Sequence, residues 1–259
     1  MAGLLRRWRR ERLLRKPFPK EWEAILRANV PYMARLNDWE QRRLRELVRV
    51  FMAEKYFEGL GGLTMTDEIR VTIAAQACML LLHRPDDDVY PGLTSVLVYP
   101  TAYVAHGKQI GPGGLVTEGA TMRAGESWNH HTSWGSSVAG PVVLAWDAVR
   151  RGATDINDGE NVVFHEFAHQ LDGQSGGMEG APQLEHRSSY IAWARVLGGE
   201  FERLRRAAAW GEPTLLNKYG ATSPAEFFAV ATEAYFERPM ELRALHPELF
   251  AQLRGFYDG

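Results

Sequence analysis

Apolar positions recur at helical spacing near the start of the chain, form strand-like runs in the middle, and return to helical spacing towards the end. Residues 22–34 and 39–55 read as two amphipathic helices, the second with Leu44, Leu47, Val48 and Phe51 on one face. Gly59-Leu60-Gly61-Gly62 breaks that pattern. A third helix starts near Thr66, with Asp67 and Glu68 suited to its first turn and Ile69, Ile73, Ala77, Leu80 and Leu81 as its stripe. Residues 95–99 are β-branched and apolar and stop at Pro100, and 101–105 are read as continuing the sheet. The glycine-rich stretch 108–127 is expected to be hairpin or loop, and 141–146 a strand. One connection then leads to a helix that carries Phe164 to Leu171. Residues 188–210, 224–237 and 240–257 are further helices, the last broken at Pro247. The order of helices, then strands, then helices predicts an α+β fold, with helices flanking a small mixed sheet.

That helix carries two stripes. Phe164, Phe167, Ala168 and Leu171 form an apolar face directed at a core. His165, His169 and Asp172 lie about 100° further round. His165-Glu166-Phe167-Ala168-His169 is an H-E-x-x-H pattern. Residues four apart on a helix differ by roughly 40° of rotation and about 6 Å of rise. Both imidazoles therefore project from one face, close enough to hold one Zn²⁺. Glu166 flanks that face, where a carboxylate can take a proton from a metal-bound water. With 8 histidines in the chain, composition alone produces such a pattern roughly 2 times in 100. Asp155, Asn157 and Asp158 offer N-caps before this helix, and Gly173 a stop after it. The following glycine-rich loop, 173–180, suits mobility and lacks the Gly-Lys-Ser/Thr of a phosphate cradle.

Composition sets limits on this reading. The chain has 259 residues, 45% of them hydrophobic and 24% charged, as in ordinary globular proteins. Its formal net charge of −2 argues against direct nucleic-acid binding. A single cysteine, Cys78, excludes an internal disulfide framework, points to a reducing, cytoplasmic setting, and reads as a small buried hydrophobe. No stretch is long and apolar enough to suggest membrane insertion. Residues 1–16 form a basic arm with Arg6, Arg7, Arg9, Arg10, Arg12, Arg15 and Lys16, read as a solvated terminal helix, and residues 17–259 form one catalytic domain. Asp86-Asp87-Asp88 reads as a solvated loop, because the spacing and glycine of a calcium loop are missing.

Catalytic zinc takes three protein ligands and keeps one open position, so a third ligand is required. Asp172, Glu179, Glu185, His186, Glu226 and Glu233 are the downstream candidates. Asp172 shares the histidine stripe but is short and nearly a turn beyond His169, which suits support from behind the ligands. A metzincin would need Gly and His where this chain has Asp172 and Ser175. Glu226 is the leading candidate, yet Ser223, Pro224 and Glu226 also match the N-cap, N1 and N3 positions of a capping box. Glu233, seven residues further along, is the rival ligand or an outer carboxylate. Local physics leaves the two readings of Glu226 open.

His165-Glu166-Phe167-Ala168-His169-Gln170-Leu171-Asp172-Gly173, with Tyr219 and Ala225-Glu226-Phe227-Phe228-Ala229-Val230 downstream, resembles the Mlc titration factor A family of zinc metallopeptidases. Pro17-Phe18-Pro19, Thr66-Asp67-Glu68, Ala74 to Cys78, Val98-Tyr99-Pro100 and Gly125 to Trp128 extend the resemblance over most of the chain. It implies a zincin-like fold related to the anthrax lethal factor catalytic domain. It implies one Zn²⁺ per chain on His165, His169 and Glu226, since the third ligand of that family follows a tyrosine by seven residues, as Glu226 follows Tyr219. On that footing Glu166 is the general base and Tyr219 stabilises the oxyanion. A core-packed Tyr219 is the competing reading. Related enzymes place a carboxylate four residues after the ligand glutamate; Val230 stands there, so the outer role passes to Glu233 or Asp172. The expected substrate is a peptide, cleaved in aminopeptidase fashion by a monomer. The family's name also implies a regulatory alternative, in which the chain sequesters a glucose-responsive transcriptional repressor. A purely structural zinc fits less well, because such sites close with four Cys or His ligands.

Overall fold

Caps and prolines set the element boundaries. The computed structural model describes the backbone of residues 2–84, 88–110, 116–123, 125–131 and 137–259, and the side chains of 5–84, 88–102, 125, 140–174 and 176–259. Helix α1 spans Ala2–Leu14 and α2 spans Lys20–Asn29. The expected helix 22–34 ends early because Pro31 drives Val30 out of the helical region, and a 3₁₀ turn follows over Pro31–Arg35. Helix α3, Asp38–Glu54, opens with a capping box between Asn37 and Glu40. A short strand not foreseen in the sequence, β1 at Tyr56–Gly59, precedes α4, Asp67–Met79, whose N-cap Thr66 accepts from Ile69 N.

Strands β2 (Ser95–Tyr99), β3 (Tyr103–Ile110), β4 (Val116–Arg123), β5 (Gly125–His131) and β6 (Ser137–Ala145) follow. The main sheet has the order β1-β2-β6-β5. Its first three strands are parallel, and β5 runs antiparallel to β6 along one edge. Residues 103–105 do not continue this sheet, contrary to expectation. They begin β3, which pairs with β4 as a separate antiparallel hairpin. The expected hairpin at 108–127 is thus seen in its arms, while its turn, 111–115, lies outside the described residues, as do Asp86 and Asp87 of the acidic loop. Trp146, expected in the strand, instead opens α5, Trp146–Thr154, an unforeseen helix within the expected simple connection.

Helix α6 covers Val162–Asp172 and α7 Arg187–Trp210. Helix α8, Pro224–Glu237, is followed by α9, Pro239–Leu245, and α10, Pro247–Tyr257, which are split at His246–Pro247 where the sequence placed a break. The architecture is α+β. Helix α6 buries Phe164, Phe167, Ala168 and Leu171 in the core. Phe167 packs against Tyr90 and Phe51 at ring separations of 4.8 and 5.7 Å, and Phe164 against Phe236 at 5.1 Å. Cys78 is buried, and burial pushes its thiol up, away from nucleophile character. Helix α1 exposes most of its arginines and fixes its inner face through Arg10 to Glu54 and through Arg49 to the carbonyls of Leu13 and Lys16.

Candidate metal centre

Helix α6 owes its start to Asn161, whose Oδ1 accepts from Val163 N and Phe164 N, both at 3.1 Å. The N-cap is therefore neither Asp155, Asn157 nor Asp158. Gly173 is the C-cap at which α6 ends, as expected, but with right-handed backbone; a 3₁₀ turn runs on through Ser175, and Gly176 supplies the left-handed residue with φ 94°.

His165 and His169 project together from α6, with ring centroids 4.9 Å apart. Helix α8 lies alongside and delivers Glu226 between them. Glu226 Oε2 is 2.8 Å from His165 Nε2 and 3.3 Å from His169 Nε2. Among the described residues, His165, His169 and Glu226 form the one group able to share a metal ion, with a ligand atom from each within 4.8 Å of the others. Ser223 Oγ still accepts from Glu226 N at 3.2 Å, so half of the capping box is present while the Glu226 side chain turns to the histidines. Glu233 touches the other side of His165: its Oε1 is 2.7 Å from Nδ1.

Glu166 is buried beside this group. A Cβ placed on Gly125 of β5 would stand 2.6 Å from Glu166 Oε1 and from Val162 Cγ2, so any larger residue there would push the Glu166 side chain aside. Tyr219 is 52% exposed, which excludes the core-packed reading, and its ring lies 5.9 Å from that of His165. Asp172 lies outside the group of three. It accepts from Gly180 N and Ala181 N, both at 2.8 Å, and so fastens the glycine-rich loop. That loop presses on the start of α8, since a Cβ on Gly180 would stand 2.4 Å from Pro224 O.

Charge is concentrated here. Burial pushes the Glu166 carboxyl up to about 7, against the pull of His165 and His169. Burial also resists a charged His165, but hydrogen bonds with Glu226 and Glu233 outweigh it and hold that imidazole well above its ordinary value. At Glu226 burial is overcome by His165 and His169, which keep the carboxyl well below the usual range. Burial raises Glu233 in spite of His165.

The donor set suits a metal. Two imidazole nitrogens and one carboxylate oxygen form the ligand set of a catalytic zinc, and a carboxylate on the far nitrogen of a ligand histidine is the usual outer support. His169 Nδ1 is buried without a hydrogen-bond partner among the described residues. Asn161, Glu237 and Gly125 were not singled out from the sequence. Asn161 had a legible signal, a capping residue directly before the apolar run Val162-Val163-Phe164. Glu237 lies eleven residues after Glu226, on the same face of α8.

The glucose-regulated metallo-peptidase M90 family matches residues 5–258. An uncharacterized protein of Synechocystis sp. is 39% identical over 250 residues, covering 96% of this chain and 88% of its own length. Mlc titration factor A of Serratia proteamaculans is 29% identical over 240 residues, 92% of this chain and 86% of that protein. Mlc titration factor A of Yersinia pestis is 29% identical over 244 residues, 92% and 83% respectively. With nearly its whole length matched, and with a His/His/Glu group at its centre, the chain belongs to the glucose-regulated metallo-peptidase M90 family.

Proposed function

We propose that this chain is a zincin-like zinc peptidase, with one Zn²⁺ held by His165, His169 and Glu226. The convergence of these three side chains beside a buried Glu166 carries the reading. Zinc, when bound, supplies a Lewis acid that acidifies a water and polarises a carbonyl. Glu166 receives the proton of the attacking water and hands it to the leaving amine. A carboxyl poised near neutrality suits both directions of transfer. The Tyr219 hydroxyl donates to the oxyanion. Strand β5 lies at the edge of the main sheet among the described residues, with Gly125 against Glu166. An extended peptide added to that edge would bring its backbone to the base, which favours a peptide substrate.

The family resemblance directs the proposal to aminopeptidase-like action on short peptides, by a cytoplasmic monomer with residues 17–259 as one catalytic domain. The relatives' name, Mlc titration factor A, supports a second reading, in which the chain binds a transcriptional repressor. Zinc analysis of the purified protein, together with mass-spectrometric profiling of a peptide library, tests the first reading. One zinc per chain and cleavage next to free N-termini are expected; a zinc-replete protein that cleaves no peptide would leave the repressor-binding role.

A further inference from the structure

The acidic face of α8 continues past the metal group. Glu226, Glu233 and Glu237 are seven and four residues apart, close to whole helical turns. Glu233 holds His165 Nδ1 through Oε1 and accepts from the backbone N–H of Asn161 at 2.6 Å through Oε2. Glu237 grips the turn before α6. Its Oε2 accepts from Gly159 N at 2.9 Å and Glu160 N at 3.1 Å, and its Oε1 accepts from Asn161 Nδ2 at 3.1 Å. Asn161 Nδ2 also faces Gln76 Oε1 at 2.9 Å and Gly152 O at 3.1 Å, while its Oδ1 caps α6.

This network is sealed: Asn161, Gln76 and Glu237 are no more than 2% exposed. No cation pairs with Glu237 among the described residues. Burying a carboxyl without a counter-charge is costly, and a bond between two helices does not require one. Burial, with the Asp158 carboxylate nearby, pushes the group up to about 8, against the N–H groups of Asn161 and Gly159; three N–H groups nonetheless converge on both oxygens of its fork, which a simple link between two helices would not need. A glutamine at 237 would set an NH₂ against either the backbone pair or Asn161 Nδ2, leaving a buried donor unpaired.

We infer that Glu237 is a positioning residue for the metal centre. It fixes the 159–161 turn, Asn161 within that turn fixes the Glu233 carboxylate, and Glu233 fixes the plane of the His165 ring. The helix that supplies the ligand Glu226 at its first turn thus aligns a second ligand from its last turn. This inference rests on the metal reading above.

The probe is Zn²⁺ alone, titrated into the full chain against a chromophoric chelator, with Co²⁺ absorption as a report on ligand geometry. Glu237→Gln disrupts the fork. Asn161→Ser retains a capping oxygen and the backbone N–H to Glu233, but removes the donor to Glu237. Glu200→Gln is the control, a buried acid whose partners are His246 and Arg203. Glu237→Gln and Asn161→Ser are expected to weaken zinc binding about 10-fold, as loss of outer support for a ligand does, and to alter the Co²⁺ spectrum. Glu200→Gln is expected to lower stability with neither change. Parent-like zinc affinity and Co²⁺ spectra in both variants would overturn the inference, leaving Glu237 as a helix fastener. Should Glu237→Gln fail to fold, Asn161→Ser decides by the same criterion. A parent chain that binds no zinc overturns the metal reading itself, and the inference with it.

Discussion

Oε1 of Glu233 lies 2.7 Å from Nδ1 of His165, so the ring is held from its outer nitrogen while Nε2 faces Glu226. A carboxylate accepting from Nδ1–H selects the tautomer whose Nε2 lone pair is free to ligate a metal. On the proposed reading, the same contact makes Glu226 the ligand from α8 and Glu233 its support.

Glu226→Gln and Glu233→Gln separate these two roles. Ser223 caps α8 through the backbone N–H of residue 226, so Glu226→Gln keeps the helix start. Zinc affinity is expected to fall steeply in Glu226→Gln, because an amide is a poor zinc ligand. In Glu233→Gln the expected fall is roughly 10- to 100-fold. Zinc titration with circular dichroism as the fold control measures both. A larger loss in Glu233→Gln would exchange the two assignments.

Asp172→Ala is expected to retain zinc and lose stability. The substitution strands the N–H groups of Gly180 and Ala181, which costs roughly 2–4 kcal/mol. Urea unfolding of the zinc-loaded protein reads the cost. Loss of zinc equal to that in His169→Ala would place Asp172 among the ligands.

Raised pKa values make Glu166 a liability to the metal-free fold. Its folded value of about 7 stands above the ordinary 4.5. Its contribution to stability is therefore complete below about pH 4.5 and is lost as pH rises through 7. Glu166→Gln removes that loss. In chelator, its stability relative to the parent is expected to increase between pH 5 and pH 8, by on the order of 3 kcal/mol. Parallel pH profiles for parent and variant would show that Glu166 is not held in an unfavourable charged state.

Removal of residues 1–16 is expected to spare zinc binding and peptide cleavage while reducing stability. Arg49 is only 8% exposed and donates to the carbonyls of Leu13 and Lys16, so truncation leaves a buried guanidinium short of acceptors. Thermal unfolding and zinc titration of a chain beginning at Pro17 check this together. A truncated chain that folds but no longer binds zinc would tie α1 to the centre.

Much of this was legible because its signals are local. The stripe Phe164, Phe167, Ala168, Leu171 and the i, i+4 spacing of His165 and His169 follow from helical geometry alone. Glu226 stayed ambiguous because its competing roles, cap and ligand, depend on where α6 sits, which no local pattern reveals. Strand β1 has only four residues, and residues 103–105 left the main sheet for a hairpin because partner choice is a non-local property. Helix α5 was hidden because Trp146 extends the apolar run Val142 to Ala145 into its first turn. The Glu237–Asn161–Glu233 chain joins residues more than seventy positions apart, and only the antiparallel contact of α6 and α8 makes it visible.

On the proposed reading, peptide hydrolysis at the metal group runs through Glu166. Cleavage of one peptide pool by the zinc-loaded parent and by zinc-loaded Glu166→Gln, followed side by side by mass spectrometry, tests it most directly. Cleavage by the parent is expected, with its loss by a factor of about 100 or more in the variant, at equal zinc content. Cleavage by Glu166→Gln within a few-fold of the parent would contradict it.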